Sequence, residues 1–144
     1  MLDRAPGLPF RLAGALVEDL HGRGLRREPF LDLWSVDSRA AVRDAAVAAL
    51  KGPEPVVLYA EARTSGKQTA GLEILLAALT GPDDRADRLV GICQPVTTLV
   101  RLHGEALTVL EHKLTVYPGG RDPGVREPHL RLAAVDGRRI TRSG

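Results

Sequence analysis

The hydrophobic period of the chain changes once, at Gly52-Pro53, and this change limits the possible fold more than any other feature. Before it, apolar residues between Asp37 and Leu50 recur at spacings of three and four, the period of an amphipathic helix. After it, residues 56–63 alternate between an apolar set and a mixed polar set, the period of a strand. Helices followed by consecutive strands predict an α+β domain with an antiparallel sheet.

Shorter elements precede the main helix. Residues 10–13 form a brief apolar run that predicts a strand, and residues 16–20 follow at helical spacing before a pair of glycines. A compact apolar group at 30–34 predicts a second short helix with Trp34 turned inward. The serine and aspartate side chains at 35–38 are candidate N-cap acceptors for the main helix.

Three strands are predicted after the main helix. Residues 56–64 and 68–79 flank a Ser-Gly-Lys turn and predict a hairpin, and residues 88–96 predict a third strand after a polar loop. Within the second strand the leucines also fit one face of a helix, but the nearby turn and Gly71 favour a strand. The sheet is therefore expected to be antiparallel, with the helices on one face.

The Gly66-Lys67 pair raises the question of a phosphate-binding loop. Such a loop needs a glycine five positions before the Gly-Lys pair and a hydroxyl residue after it. Here the first position is Glu61, which repels an anion, and the last is Gln68. The motif fails at both ends, so a hairpin turn is predicted, in which Gly66 supplies a positive φ.

No catalytic or metal site is predicted. The four histidines lie far apart in sequence, and the single cysteine, Cys93, lies in an apolar strand that favours an inert side chain. Glu61 and Glu73 flank the hairpin and are the only candidates for a carboxylate pair, but Arg63 and Lys67 nearby favour solvated ion pairs. An enzyme using Glu61 or Glu73 is the least favoured hypothesis.

Composition excludes several classes of function. The net charge of +2 is small, and aromatic residues make up only 3%, so nucleic-acid binding is not expected. No apolar run approaches the length of a membrane span, and the N-terminal residues lack the apolar core of a secretory signal. A single cysteine fits a reducing compartment. A cytoplasmic protein without membrane or nucleic-acid partners is therefore expected.

The order of elements is that of a PAS domain, and local sequence supports this. Several blocks resemble the stand-alone PAS proteins of alphaproteobacteria, a group typified by the motility regulator MopJ: FRLAG from Phe10, FLDLW at Phe30–Trp34, SRAAVRDAAVAAL from Ser38, PVVLYAEART from Pro55, LEILLAAL from Leu72 and DRLVGICQP from Asp87. The resemblance covers Phe10 to Pro95. It implies an α+β, PAS-like antiparallel sheet with helices on one face.

The chain departs from that family at its start. Members carry several tens of residues before the FRLAG block, including the first strand of the sheet, whereas here nine residues precede Phe10. The first strand is thus expected to be missing, or replaced by residues after Val96 or by a second copy. We predict a PAS-like domain at 8–96 and a C-terminal extension at 97–144. The extension includes a Pro/Gly-rich linker near 118–128 and a last strand turning at 136–137.

The resemblance also implies what the domain does. A flavin PAS photoreceptor has a reactive cysteine on its short helix, and an oxygen-sensing haem PAS has a histidine on its long helix. Residues 30–50 contain neither cysteine nor histidine, so no cofactor is expected. The candidate pocket is apolar: Leu33, Trp34, Val42, Leu58, Tyr59, Ile74 and Leu76. The leading hypothesis is a homodimeric regulatory adaptor that binds signalling proteins such as histidine kinases. Its alternative is a sensor of a small apolar ligand.

Overall fold

The computed structural model describes residues 1–119 and two short strands near the C-terminus. The helices are α1 (Ala15–His21) and α2 (Arg39–Lys51), with single 3₁₀ turns at Phe30–Leu33, Val36–Ser38 and Leu99–Leu102. The strands are β1 (Leu2–Asp3), β2 (Val56–Thr64), β3 (Thr69–Thr80), β4 (Ala86–Pro95), β5 (Leu107–Val116), β6 (Ala134–Val135) and β7 (Arg138–Arg139).

Five strands form one antiparallel sheet in the order β1-β4-β3-β2-β5. The predicted α+β fold is confirmed, and the 68–79 segment is a strand rather than a helix. Strands β6 and β7 pair with each other in a separate two-stranded sheet. Their pairing fits a turn at 136–137, but that turn and most of the predicted linker at 118–128 lie outside the described residues.

Alternation along β2 determines which side chains enter the core. Leu58 and Ala62 are buried, whereas Tyr59 and Glu61 between them are only partly covered. The hairpin register places Leu58 opposite Ile74 on the same buried face. We call this face of the sheet the inner face and the opposite one the outer face.

Helix α2 packs against the inner face through small side chains. Val42, Ala45, Ala46 and Ala49 are fully buried and recur at helical spacing. Alanine at three of these four positions lets the helix backbone approach the strands closely. The predicted stripe on this helix is therefore confirmed.

The aromatic side chains of the core form a chain of edge-to-face contacts. The rings of Phe10 and Phe30 lie 5.9 Å apart, and those of Phe30 and Trp34 lie 5.7 Å apart. Trp34 is 1% exposed, so its predicted inward orientation is confirmed. Its indole Nε1 is buried and makes no hydrogen bond to any described residue. An unpaired buried donor of this kind costs about 1–3 kcal/mol.

Three local predictions were wrong. The apolar run at 10–13 does not form a strand. Phe10 makes a β-bridge to Leu2, and the following residues bend away towards α1. Ser38 is the N-cap residue of α2, but its side chain makes no capping hydrogen bond; its hydroxyl accepts a hydrogen bond from the His112 amide at 2.9 Å instead. In the hairpin turn the positive φ belongs to Lys67, at 64°, and not to Gly66.

The first strand was predicted to be missing or replaced, but the N-terminal residues form a short strand, β1, at one edge of the same sheet. The residues after Val96 do not replace this strand. They include β5, which pairs with β2 at the opposite edge of the sheet, whereas β1 lies beside β4. The two residues of β1 pair with Arg88 and Leu89. The predicted domain boundary near residue 96 stays a prediction, although β5 belongs to the same sheet.

Candidate functional site

An apolar cavity of about 80 Å³ lies between the inner face, α1 and the N-terminal segment. Phe10, Leu33, Ile74 and Leu76 contribute to its walls. Binding pockets for drug-sized ligands usually have about 300–1,000 Å³. The cavity therefore has room for only a few heavy atoms in this conformation.

The structure separates the seven predicted pocket residues into three groups. Leu33, Ile74 and Leu76 line the cavity. Trp34, Val42 and Leu58 are buried in the core but are not among its lining residues. The prediction of Tyr59 as a pocket residue was wrong. Tyr59 follows Leu58 in a strand, so its side chain points to the outer face.

Two polar side chains that were not predicted as pocket residues also line the cavity. His21 is buried, and this burial, followed by the nearby Arg23 guanidinium, lowers its pKa from 6.5. Burial raises the pKa of the Cys93 thiol. Both side chains are consequently neutral at pH 7, which suits an apolar occupant. The helical spacing from Val17 to His21 was the sequence signal that could have placed the histidine there.

The outer face carries a cross-strand row of apolar side chains. The pairing registers place Val116, Val57, Leu75 and Ile92 side by side across β5, β2, β3 and β4. Directly paired residues share a face, so the row spans four strands of the sheet. Ile92 is 61% exposed and Val116 is 37% exposed, while the two central members are half-buried. We call these four residues the outer apolar row.

The same face ends in a cluster of charges. The Arg63 guanidinium lies 3.0 Å from Glu61 and 2.9 Å from Glu111, and the Lys113 ammonium lies 3.3 Å from Glu111. Arg63, followed by Lys113, lowers the pKa of the Glu61 carboxyl. The outer face is thus divided into an apolar part and a paired, charged part.

The suggested pairing of Glu61 with Glu73 across the hairpin was wrong. In the observed register Glu61 lies opposite Gly71, whereas Glu73 lies opposite Tyr59. A hydrogen bond to Glu73 is the main cause that raises the pKa of the Tyr59 phenol. Each carboxylate therefore has its own partner, and the two do not form an acid–base pair.

The Gly-Lys turn is occupied by a carboxylate of the protein itself. The amide of Gly66 donates to the Glu105 carboxylate at 3.0 Å. Hydrogen bonds from Thr64 and Gly66 lower the pKa of Glu105, which keeps it ionised. A phosphate group would meet this negative charge, so the turn is unsuited to a nucleotide.

The segment that leads into β5 adds further apolar surface beside the outer face. The hydroxyl of Thr97 accepts a hydrogen bond from the Gly71 amide at 2.9 Å and so fixes the start of this segment on β3. In this segment Val96 is 53% and Val100 is 79% exposed, and Tyr117, directly after β5, is 49% exposed. These exposed side chains precede and follow β5 in the sequence, and β5 itself contributes Val116 to the outer apolar row.

No helix among the described residues is both long and apolar enough to cross a membrane. No group of three or more His, Cys, Asp or Glu side chains within residues 1–119 is arranged to hold a metal ion.

Comparison with known proteins gives the family. A family model described as PAS domain matches residues 2–94, which is more than half of the chain. The chain therefore belongs to the PAS domain family, whose members are in general sensory or interaction modules of signal transduction and not catalysts. None of the curated proteins and none of the solved structures compared with the chain matches it.

Proposed function

We propose that this protein is a cytoplasmic regulatory adaptor of the stand-alone PAS type, akin to the group typified by MopJ. It forms a homodimer and binds signalling proteins such as histidine kinases. The outer apolar row is the observation that carries this proposal. PAS domains commonly dimerise and mediate protein interactions. The exposed apolar side chains of the row support the assignment of such contacts to this face.

Exposure supports the role of the row. A scattered exposed leucine or valine is ordinary on a protein surface, but contiguous apolar patches are characteristic of interaction sites. Here Val116, Val57, Leu75 and Ile92 are neighbours in one cross-strand row, and Leu114, 53% exposed, lies next to it on β5. The charged cluster at the other end forms the polar border that interfaces usually have.

An experiment on the dimer tests the proposal. We expect the double variant Leu75→Lys/Ile92→Lys to be monomeric in sedimentation velocity at concentrations where the unaltered protein is dimeric. The control is Val36→Lys, because Val36 is 77% exposed and lies in the 3₁₀ turn before α2, away from the outer apolar row. A dimer that persists in the double variant, or an unaltered protein that is itself monomeric, would contradict the proposed use of this face.

A sensor of a small apolar ligand is the second candidate, and the inner cavity is the observation that favours it. The cavity has apolar walls and neutral polar groups, as an apolar ligand requires. Its small volume favours the adaptor over the sensor. A native mass spectrum compared with a denatured one distinguishes them, because a bound ligand appears as a discrete mass that is lost on denaturation.

A further inference from the structure

A second surface lies on the helical side of the domain, where α2 meets the N-terminal loop at residues 4–8. An open groove of about 350 Å³ lies between these two segments. Its floor is apolar and includes Leu8 and Leu31, which are buried, and Val47, which is 39% exposed. Arg4, Arg43 and Lys51 line the same groove.

The three cations are exposed, and none of them has an acidic partner among the described residues. No carboxylate among residues 1–119 lies within 4.0 Å of the charged groups of Arg4, Arg43 or Lys51, and no acidic residue lines the groove. Other arginines of the domain are paired, including Arg39 with Asp32 and Arg63 with two glutamates. The groove is therefore a local concentration of positive charge around an apolar floor, without a carboxylate partner in the part of the chain that the structure describes.

The N-terminal side of the groove has a fixed shape. Leu8 has a positive φ of 55°, which is unusual for a residue with a branched side chain. Its amide donates to the Ala5 carbonyl, and its own carbonyl accepts from the Phe30 amide. These bonds hold the loop so that the Leu8 side chain is part of the floor. The Arg4 guanidinium is placed by a hydrogen bond to the Ala86 carbonyl at 3.3 Å.

The helical side of the groove has a regular spacing. Arg43, Val47 and Lys51 follow one another at intervals of four residues on α2, so they share one face and rise about 6 Å per interval. The pattern along the helix is cation, apolar, cation. A complementary helix laid along this face would carry acid, apolar and acid side chains at the same intervals.

We propose that this groove is a docking site for an acidic amphipathic helix of a partner protein. The charge of the groove selects acidic side chains at both ends of the contact, and Val47 receives an apolar side chain between them. The inference deepens the proposed function, on which it rests, because an adaptor that dimerises through its outer face needs a second surface to bind a signalling protein. The groove borders α2, which covers the inner face, so it lies on the opposite side of the sheet from the outer apolar row.

The test uses the full chain and a labelled peptide. The probe is an alanine-based helical peptide of about 17 residues with glutamate, leucine and glutamate at four-residue spacing. The comparison peptide has lysine in place of both glutamates. Binding is followed by fluorescence anisotropy at low and high salt. We expect the glutamate peptide to bind more weakly as salt rises, since the contacts are exposed, and the lysine peptide not to bind.

Two double variants with the same change of net charge locate the site. Arg43→Glu/Lys51→Glu is expected to weaken peptide binding by about tenfold or more, because two attractions become repulsions. Arg26→Glu/Arg101→Glu is the matched control; both arginines are exposed and lie outside the groove. Val47→Gln, which removes the apolar contact and keeps the charges, is expected to weaken binding about threefold.

Each outcome decides the proposal. Selective loss in the groove variants, with the control unchanged, supports it. Equal loss in both double variants would mean non-specific attraction and would overturn it. Binding of phosphatidylserine vesicles without binding of the peptide would identify a membrane surface instead and would also overturn it. Leu75→Lys/Ile92→Lys should retain peptide binding, so failure at the groove is separable from failure of the proposed dimer face.

Discussion

The two faces of the same sheet carry similar apolar residues but differ in how far these residues are buried. On the inner face Leu58 and Leu76 are fully buried, and α2 packs against the strands that carry them. On the outer face Ile92 and Leu114 are just as apolar but remain more than half exposed. Hydrophobicity alone therefore does not mark the core of this domain. The position of the helices decides which apolar face is buried in the core and which stays partly exposed within residues 1–119.

The largest expected effect tests the inner face. Trp34→Ala should lower the free energy of unfolding by about 3–5 kcal/mol, because it removes a fully buried ring that packs against Phe30. Ile92→Ala on the outer face should change it by no more than about 0.5 kcal/mol. Urea denaturation of both variants measures the difference. Similar losses in the two variants would abolish the distinction between the faces.

An intermediate effect concerns the pH dependence of the inner side. Burial lowers the pKa of His21, and Arg23 lowers it further, while the Leu107 carbonyl and Glu28 act in the opposite direction. The unfolded chain therefore binds a proton more readily than the folded protein between the lowered pKa and about 6.5. The unfolding free energy should rise with pH through that window and level off above it.

The variant His21→Gln provides the control for this prediction. Glutamine has no proton to gain in the same range, so the rise of stability with pH should become smaller in urea titrations at a series of pH values. An unchanged pH profile would show that other groups, and not the cavity histidine, are responsible. The stability of the variant at neutral pH serves as the check that its fold is intact.

The smallest expected effect concerns the charged end of the outer face. Arg63→Ala should lower the unfolding free energy by at most about 1 kcal/mol, because its ion pairs with Glu61 and Glu111 are partly exposed. The loss should shrink as salt is added. Thermal unfolding at low and high ionic strength measures both. A large loss that is independent of salt would mean that this cluster holds the sheet together as the core does.

The sequence predicted the elements that depend on a clear local period. The α2 stripe, the alternation along β2 and the β2–β3 hairpin all appear where they were expected, because each buries one face of a regular element. The assignment of the chain to the PAS family rested on the order of these elements and is confirmed by the match over residues 2–94.

Features that depend on contacts between residues far apart in the sequence were not predicted. The side chain of Ser38 was expected to cap a helix, but its hydroxyl accepts a hydrogen bond from the amide of His112, which is 74 residues away. The Gly66 turn is held by Glu105 from a distant loop. The groove beside α2 combines residues 4–8 with the helix, and no local pattern brings those segments together. Tyr59 was misplaced for a different reason, since its own strand period already assigned it to the outer face.

Trp34 gives the protein an optical reporter of its own core. It is the only tryptophan in the sequence, and it is buried among aromatic side chains with no hydrogen bond from its indole nitrogen to any described residue. Its fluorescence should therefore be emitted at short wavelength, as from an apolar solvent, and shift to longer wavelength only when water reaches the inner face. Emission from this one side chain can distinguish events inside the domain from events on its outer surfaces without any added label.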